Sequence, residues 1–223
     1  MQSRNLHDIP LLDAEKPELV ETATFAMGCF WGPDAMFGIV PGVVATRVGY
    51  AGGSTADPTY RNLGDHTESV QIDFDPSKVS FVKLLEMTWC KIDPYYKSAV
   101  RRYMSILFYH NPLQKAAIDS IVSAEEDRVG TAVAVDILPY DGFYLAEEYH
   151  QKYYLKTMSD FAEEYCEIFG TPGNLTGSTA VARVNGYVSG MGNMRQLEEE
   201  IDLLGLSEKG RDRLGRIVAL YRR

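Results

Sequence analysis

Gly28-Cys29-Phe30-Trp31-Gly32 places a nucleophilic sulfur, two large aromatics and two flexible residues in five consecutive positions. A thiol beside an aromatic pair is equipped for sulfur chemistry on a small apolar group. Upstream, residues 22–27 read as a short buried strand; downstream, residues 33–40 carry a helical apolar pattern. Cys29 is therefore expected at a strand-to-helix turn. There the unpaired N–H groups of a helix start stabilise a thiolate and lower its pKa from about 8.5 into the neutral range. Phe30 and Trp31 are too apolar for an exposed turn and are expected to wall a pocket. A cysteine of arbitrary context is more often a buried packing residue; the flanking glycines and the turn weigh against that here.

A second titratable group stands out in residues 68–75, which alternate as a strand. Glu68, Val70, Ile72 and Phe74 face one way and Ser69, Gln71 and Asp73 the other. Glu68 thus shares the apolar face and belongs at the rim of the core. Burial raises a carboxyl pKa, and moving it from about 4.3 to 7 takes about 4 kcal/mol of differential solvation. A largely dry aromatic pocket supplies that much; an exposed strand end, the other reading of Glu68, does not.

The elements that must position these groups follow from the same kind of pattern. After the strand at 22–27 comes a helix at about 29–39, then a β-branched strand at 43–48. Residues 49–66 are rich in Gly, Thr, Asp and Asn and read as a long loop, of the length that usually carries function. Beyond the strand at 68–75, Ser80 caps a helix with the stripe Phe81, Leu84, Leu85, Thr88 and Trp89. A fourth strand is expected at 103–110. Asn111, Pro112 and Gln114 then open a helix to about Val129. A fifth strand is expected at 131–138, and further helices near 145–157 and 159–169. Beyond Gly170 the chain is Gly-rich and then helical from about Met194 to the end. The expected class is α/β (α+β): a ferredoxin-like β-α-β-β-α-β core with long loops, extra helices and a C-terminal extension. The expected division is an N-terminal extension at 1–20, a catalytic domain at 21–170, and an extension at 171–223 packed on that domain.

Composition narrows the function classes. The chain has 223 residues, 45% of them hydrophobic and 24% charged, enough for a sizeable core. A formal charge of −9 argues against nucleic acid or an anionic membrane as partner. No stretch approaches the roughly 20 apolar residues that span a bilayer. Residues 1–7 lack the apolar core of a secretory signal, and three cysteines make no disulfide framework, so a cytoplasmic protein is expected. Cysteines at 29, 90 and 166 and histidines at 7, 66, 110 and 150 show no zinc-ligand spacing, so no metal is expected.

Several ordered blocks now bear on identity: Gly28-Cys29-Phe30-Trp31-Gly32, Pro41-Gly42-Val43, Val48-Gly49-Tyr50-Ala51-Gly52-Gly53 and Asp57-Pro58-Thr59-Tyr60. His66-Thr67-Glu68-Ser69-Val70-Gln71-Ile72, Asp75-Pro76 and residues 144–151 continue the series. Over residues 22–157 the chain resembles the A-type peptide methionine sulfoxide reductases. In the tail, Val184-Asn185-Gly186-Tyr187-Val188-Ser189-Gly190 resembles the C-terminal region of some animal members.

The resemblance implies that Cys29 attacks the sulfoxide sulfur, Glu68 protonates the sulfoxide oxygen, and Tyr60 and Tyr103 hydrogen-bond it. It also implies that Phe30 and Trp31 hold the ε-methyl group, that the S epimer is the substrate, and that Cys29 is left as a sulfenic acid. No cofactor is implied beyond an external reductant, thioredoxin or a small thiol. The implied substrate is an oxidised protein or free methionine sulfoxide, in oxidative-damage repair, and a monomer is expected. The chemistry fits those residue types: a polarised S=O needs donors on oxygen, an apolar slot for methyl and a nucleophile at sulfur. His150, on a run with Glu147, Glu148 and Tyr149, reads as a packing residue, and Tyr95 and Tyr96 as aromatic surface or core.

The chain departs from the family pattern twice. Many members carry resolving cysteines in a flexible tail; here no cysteine follows Cys166. Bacterial members have a polar Gly/Asn/Asp-rich run before the second tyrosine. This chain has Lys97-Ser98-Ala99-Val100-Arg101-Arg102, with Ser98 near the usual aspartate. Cys90 and Cys166 project off the apolar stripes of their helices and read as plain helix cysteines. The alternatives to a reductase are a thiol peroxidase or disulfide oxidoreductase, which would leave Glu68 and the aromatic pair unexplained, and a non-catalytic module that binds oxidised methionine.

Overall fold

The computed structural model describes residues 9–221. Six strands form one sheet: β1 (Glu21–Met27), β2 (Val43–Ala51), β3 (Thr67–Phe74), β4 (Ser105–Tyr109), β5 (Asp136–Pro139) and β6 (Phe143–Leu145). Their order across the sheet is β5-β4-β1-β3-β2-β6, and every pairing is antiparallel except β4 with β5. Helix α1 (Leu11–Ala14) precedes the sheet; α2 (Trp31–Gly38) joins β1 to β2, and α3 (Phe81–Trp89) joins β3 to β4. Helix α4 (Pro112–Val129) follows β4. After β6 come α5 (Tyr153–Lys156), α6 (Ser159–Phe169), α7 (Thr179–Val188), α8 (Met194–Glu200) and α9 (Glu208–Leu220).

The helix caps are those the sequence predicts. Ser80 accepts from the Lys83 amide at 3.2 Å, and Asn111 from the Gln114 amide at 2.9 Å. Gln114 answers by accepting the His110 amide at 2.9 Å. Gly130 ends α4 in the left-handed conformation, φ 76°, which other residues adopt only with strain.

One face of the sheet is covered by α2, α3 and α4. Phe25, Val70, Ile72 and Phe74 meet Phe37, Phe81, Leu84, Leu85 and Ile118 there. On the other face Ala26, Ala51, Ile106 and Phe108 pack with Leu138, Tyr140 and Phe143. Both faces of β3 are therefore covered, and even Ser69 and Gln71 are buried. A third cluster gathers α6, α7 and α9 around Phe161, Tyr165, Val184, Tyr187 and Leu214, reaching α2 through Ile39.

Four expectations are corrected. The strand expected at 103–110 begins only at Ser105, because Arg101–Tyr103 coils into a 3-10 turn that leaves Tyr103 outside the sheet. The strand expected at 131–138 is reduced to Asp136–Pro139. The helix expected at 145–157 is broken. Residues 143–145 pair with β2, Glu148–His150 form a 3-10 turn, and Lys152 takes a left-handed φ of 52° before the single turn of α5. Gln151 accepts the Val48 amide at 3.0 Å and donates to the Val48 and Ala146 carbonyls, so this segment is held to the edge of β2 rather than to itself. Lastly, the Gly-rich stretch after Gly170 contains α7, a helix in which every residue is buried. The parts of the expected extensions at 1–8 and 222–223 lie outside the described residues.

Candidate active site

Gly28 (φ 78°) turns the chain out of β1, and α2 begins at Trp31, so Cys29 stands exposed between strand and helix. The expected lowering of its pKa is not what the structure supports. Protein atoms packed round the sulfur desolvate it and push the thiol pKa up, and the charge of Glu68 adds to this. The Trp31 amide acts alone in the other direction. One N–H does not outweigh burial and a facing carboxylate, so at neutral pH Cys29 rests as a thiol.

Glu68 sits near the start of β3 on the face that α2 covers, with Tyr50 of β2 directly opposite in register. Its side chain is 2% exposed. Oε2 accepts the Phe30 amide at 3.3 Å, and Oε1 lies 3.5 Å from the Arg102 guanidinium. Burial raises the Glu68 pKa; the Phe30 amide and Arg102 oppose that without cancelling it. The structure thus sets two groups with raised pKa values on either side of one backbone amide.

Phe30 is fully buried, packed with Val48, Tyr50, Leu63 and Ala146, its ring 5.1 Å from His150. Trp31 lies flat on Tyr153, 3.7 Å between centroids and 5° between planes, and donates from Nε1 to His150 Nδ1 at 3.2 Å. That bond puts the proton of a neutral His150 on Nε2, and burial lowers the His150 pKa to keep the ring neutral. Tyr60 is half-buried, its ring 4.5 Å from His150. Tyr103, 40% exposed, has its phenol pKa raised by desolvation and then by the charge of Glu68.

The sequence-derived set of Cys29, Phe30, Trp31, Tyr60, Glu68 and Tyr103 is thus gathered at one end of the sheet, beside the start of α2. His150 belongs with it, through its bond to Trp31 and its contacts with Phe30 and Tyr60. Tyr95 lies apart, its hydroxyl donating to Glu125 at 3.1 Å. Cys90 is exposed at the end of α3, and Cys166 on α6 is half-buried against the C-terminal cluster.

Two residues of the site were not singled out by sequence. Glu147 accepts the Tyr50 hydroxyl at 2.6 Å and the Tyr60 amide at 2.9 Å, tying the long loop to the sheet. Burial works against its charge, but these two donors prevail and hold its pKa below the usual range. Arg102 donates to the Tyr60 carbonyl at 2.6 Å and lies 4.2 Å over the Tyr60 ring. Arg101, beside it, donates to the carbonyls of Asp65 and Gly52 at 2.6 and 2.7 Å. The departure at 97–102 therefore fastens the loop with two guanidinium groups. A signal for Glu147 was present in its matching block; for Arg102 there was only a charge next to Tyr103.

No metal cluster of three or more His, Cys, Asp or Glu occurs among the described residues, and none of their helices is long and apolar enough to cross a membrane.

Comparison with known proteins bears on the family. Residues 21–175 match the family described as peptide methionine sulfoxide reductase. A peptide methionine sulfoxide reductase of Drosophila melanogaster is 38% identical over 204 residues, covering 91% of this chain and 79% of that protein. The MsrA of Methanosarcina acetivorans is 43% identical over 152 residues, 62% of this chain and 80% of that one. Among solved structures, reduced Mxr1 of Saccharomyces cerevisiae superposes with a TM-score of 0.58 at 27% identity, covering 64% of this chain and 88% of its own. Methionine sulfoxide reductase A of Corynebacterium diphtheriae gives 0.55 at 29% identity, over 62% of this chain and 76% of its own.

Proposed function

The chain belongs to the peptide methionine sulfoxide reductase family, and on that premise we propose that it reduces methionine-S-sulfoxide with Cys29 as nucleophile and Glu68 as acid. The observation that carries the assignment is the Phe30 amide, which bonds Glu68 Oε2 at 3.3 Å and so fixes the acid against the residue that follows the thiol.

The sulfoxide sulfur lies against Cys29, with its oxygen toward Glu68 and its methyl against Phe30 and Trp31. Tyr60 and Tyr103 donate to the same oxygen. Burial raises the pKa of both Cys29 and Glu68 and so favours their protonated forms. Glu68 gives its proton to the oxygen as the S–O bond polarises, and the thiol loses its proton as the sulfur attacks. Across the half-reaction the oxygen passes from methionine to Cys29. The methionine sulfur is reduced by two electrons and Cys29 is oxidised to sulfenic acid. Two equivalents of an external thiol, from a thioredoxin-like protein or a small molecule, then restore Cys29 and release water and a disulfide. Oxidised proteins and free methionine sulfoxide are the substrates, and the protein works as a monomer in the cytoplasm.

The test is turnover of each methionine sulfoxide epimer with dithiothreitol, with Cys29→Ser beside the wild type. Reduction of the S epimer alone, lost in the variant, is expected. Substantial reduction by Cys29→Ser would displace the nucleophile. Both epimers unchanged by the wild-type protein would leave a module that only binds oxidised methionine.

A further inference from the structure

The Glu68 carboxyl spends one oxygen on the Phe30 amide and turns the other toward a cation. Arg102 Nη1 is 3.5 Å from Oε1, while Nη2 donates to the Tyr60 carbonyl at 2.6 Å and the guanidinium plane rests over the Tyr60 ring. The fork is held from two sides before it meets Glu68, and its side chain is only 22% exposed, so solvent screens the pair weakly. The other groups that face Glu68 are Cys29 on the turn before α2, Tyr50 on β2 and Tyr103 on the 3-10 turn. All three are uncharged in the resting site, each with its pKa raised chiefly by desolvation, so Arg102 supplies the formal positive charge.

We propose that Arg102 is the positioning residue of the acid: it strengthens Glu68 as a proton donor by stabilising the carboxylate left when the proton moves to the sulfoxide oxygen. This rests on Glu68 acting as the acid, as argued above. The bookkeeping is closed within the site. The O–H bond of Glu68 breaks, an O–H bond forms on the substrate oxygen, and the proton released by Cys29 replaces the one spent. No redox change occurs at Arg102 or Glu68. A cation beside the carboxyl makes two effects inseparable. It favours proton release, which raises the rate wherever Glu68 is protonated, and it pulls the alkaline end of that range to lower pH.

Arg102→Met keeps the length of the stem and removes the charge; Arg102→Lys returns the charge without the planar fork. Single-turnover reduction of methionine-S-sulfoxide is measured against pH for all three proteins. In parallel, the Glu68 carboxyl is titrated by 13C NMR, its signal identified by its loss in Glu68→Gln. Arg102→Met should raise the Glu68 titration and the alkaline limb of the rate by about one pH unit, since a near cation shifts a carboxylate by roughly 1–3 units. The plateau below that limb should fall by up to about tenfold, and Arg102→Lys should bring the limb back toward wild type. A lower rate with limb and titration unmoved would overturn the proposal, leaving Arg102 as packing for Tyr60 and the reductase reading intact. A titration shifted by Arg102→Met, together with a wild-type protein that reduces no sulfoxide, would overturn both readings and leave only an ion pair.

Discussion

The Phe30 amide donates to Glu68 Oε2 at 3.3 Å, so the acid on β3 is bound to the backbone of the turn that presents Cys29, not to a mobile side chain. Phe30 itself is anchored by a fully buried ring stacked against Tyr50, 6.2 Å between centroids. Thiol and carboxyl therefore move together with the start of α2, and their separation is set by the sheet. A fixed distance of this kind is what a concerted attack and protonation require.

Glu68→Gln should retain the Phe30 hydrogen bond through the amide oxygen while removing the proton donor. Single-turnover sulfoxide reduction should fall by roughly 10²–10⁴-fold, the usual contribution of a general acid. Because burial raises the Glu68 pKa, the wild-type rate should hold on the acidic side and decline as pH climbs through that raised value. The variant should lack this limb. A wild-type rate across neutral pH would leave Glu68 as a strand-end residue only.

The legible and illegible parts of this fold divide along physical lines. The caps at Ser80 and Asn111, the strand parity of Glu68 and the turn at Cys29 are local signals, and each is where the sequence placed it. Helix α7 was hidden because sequence reading looks for an apolar stripe on one face, and a helix buried all round has no polar face to contrast with it. Its glycine is a packing device: a Cβ at Gly186 would stand 2.8 Å from the Ala35 carbonyl oxygen of α2, and one at Gly38 would stand 2.5 Å from that of Ala182. Arg102 and Glu147 were hidden for another reason. Their partners, Glu68, Tyr50 and Tyr60, lie 34 to 97 positions away, and no local pattern records such pairings. The direction of the Cys29 shift was not legible because a helix start is visible in sequence, whereas the burial that desolvates the sulfur, and after it the carboxylate of Glu68, are set by tertiary packing.

Lys152 is buried completely, with Nζ 2.6 Å from Asp34 Oδ1 and 2.7 Å from the Thr46 hydroxyl, while Asp34 Oδ2 accepts the Lys152 amide at 3.2 Å and the Asn185 side chain at 3.3 Å. This network joins α2, β2, α5 and α7 behind the site. Lys152→Met should leave the Asp34 charge unpaired and cost about 3–5 kcal/mol, a fall in Tm of about 10 °C for a chain of this size. Adding Asp34→Asn should recover part of that loss. Thermal unfolding of both variants gives the answer; a single variant as stable as wild type would mean that the Lys152–Asp34 pair adds nothing net to stability.

Asp65 staples the long loop: it accepts the Ser54 amide at 2.8 Å, the Thr55 amide at 3.0 Å and both hydroxyls. These donors, the Thr55 hydroxyl foremost, depress its carboxyl far below the usual range. For a depressed acid the stabilisation is complete above the unfolded pKa of about 3.9 and is lost as pH falls toward the folded value. Hydrogen exchange at Ser54 and Thr55 should therefore stay slow from neutral pH down to about 4. Asp65→Ala should speed it already at pH 7 and weaken sulfoxide turnover through the neighbouring Tyr60. Unchanged exchange in the variant would show that Arg101, Arg102 and Glu147 hold the loop without the Asp65 side chain.

Recycling is where this chain departs from relatives with cysteine-bearing tails. All three cysteines are free, and no cysteine follows Cys166. Cys166 lines a groove with Lys156, Ser159, Ala162 and Leu175, whose walls do not include Cys29. Moving α6 to carry it elsewhere would pull Phe161 and Tyr165 out of the C-terminal cluster, and each fully buried aromatic contributes roughly 1.5–3 kcal/mol. Cys90 sits at the end of α3, whose Leu84 and Leu85 are locked beneath the sheet. A disulfide needs Cα atoms within about 7 Å, and α3 and α6 are each held in place by a packed core. Cys29, by contrast, is exposed and open to an incoming thiol. One equivalent of substrate should therefore leave mainly Cys29 sulfenic acid, trapped by dimedone, with no dominant internal disulfide. Small thiols should then regenerate the enzyme faster than thioredoxin, which favours a preformed disulfide. Non-reducing peptide mapping after a single turnover decides the matter: a near-stoichiometric Cys29–Cys166 peptide would overturn the external-thiol reading and make Cys166 the resolving residue.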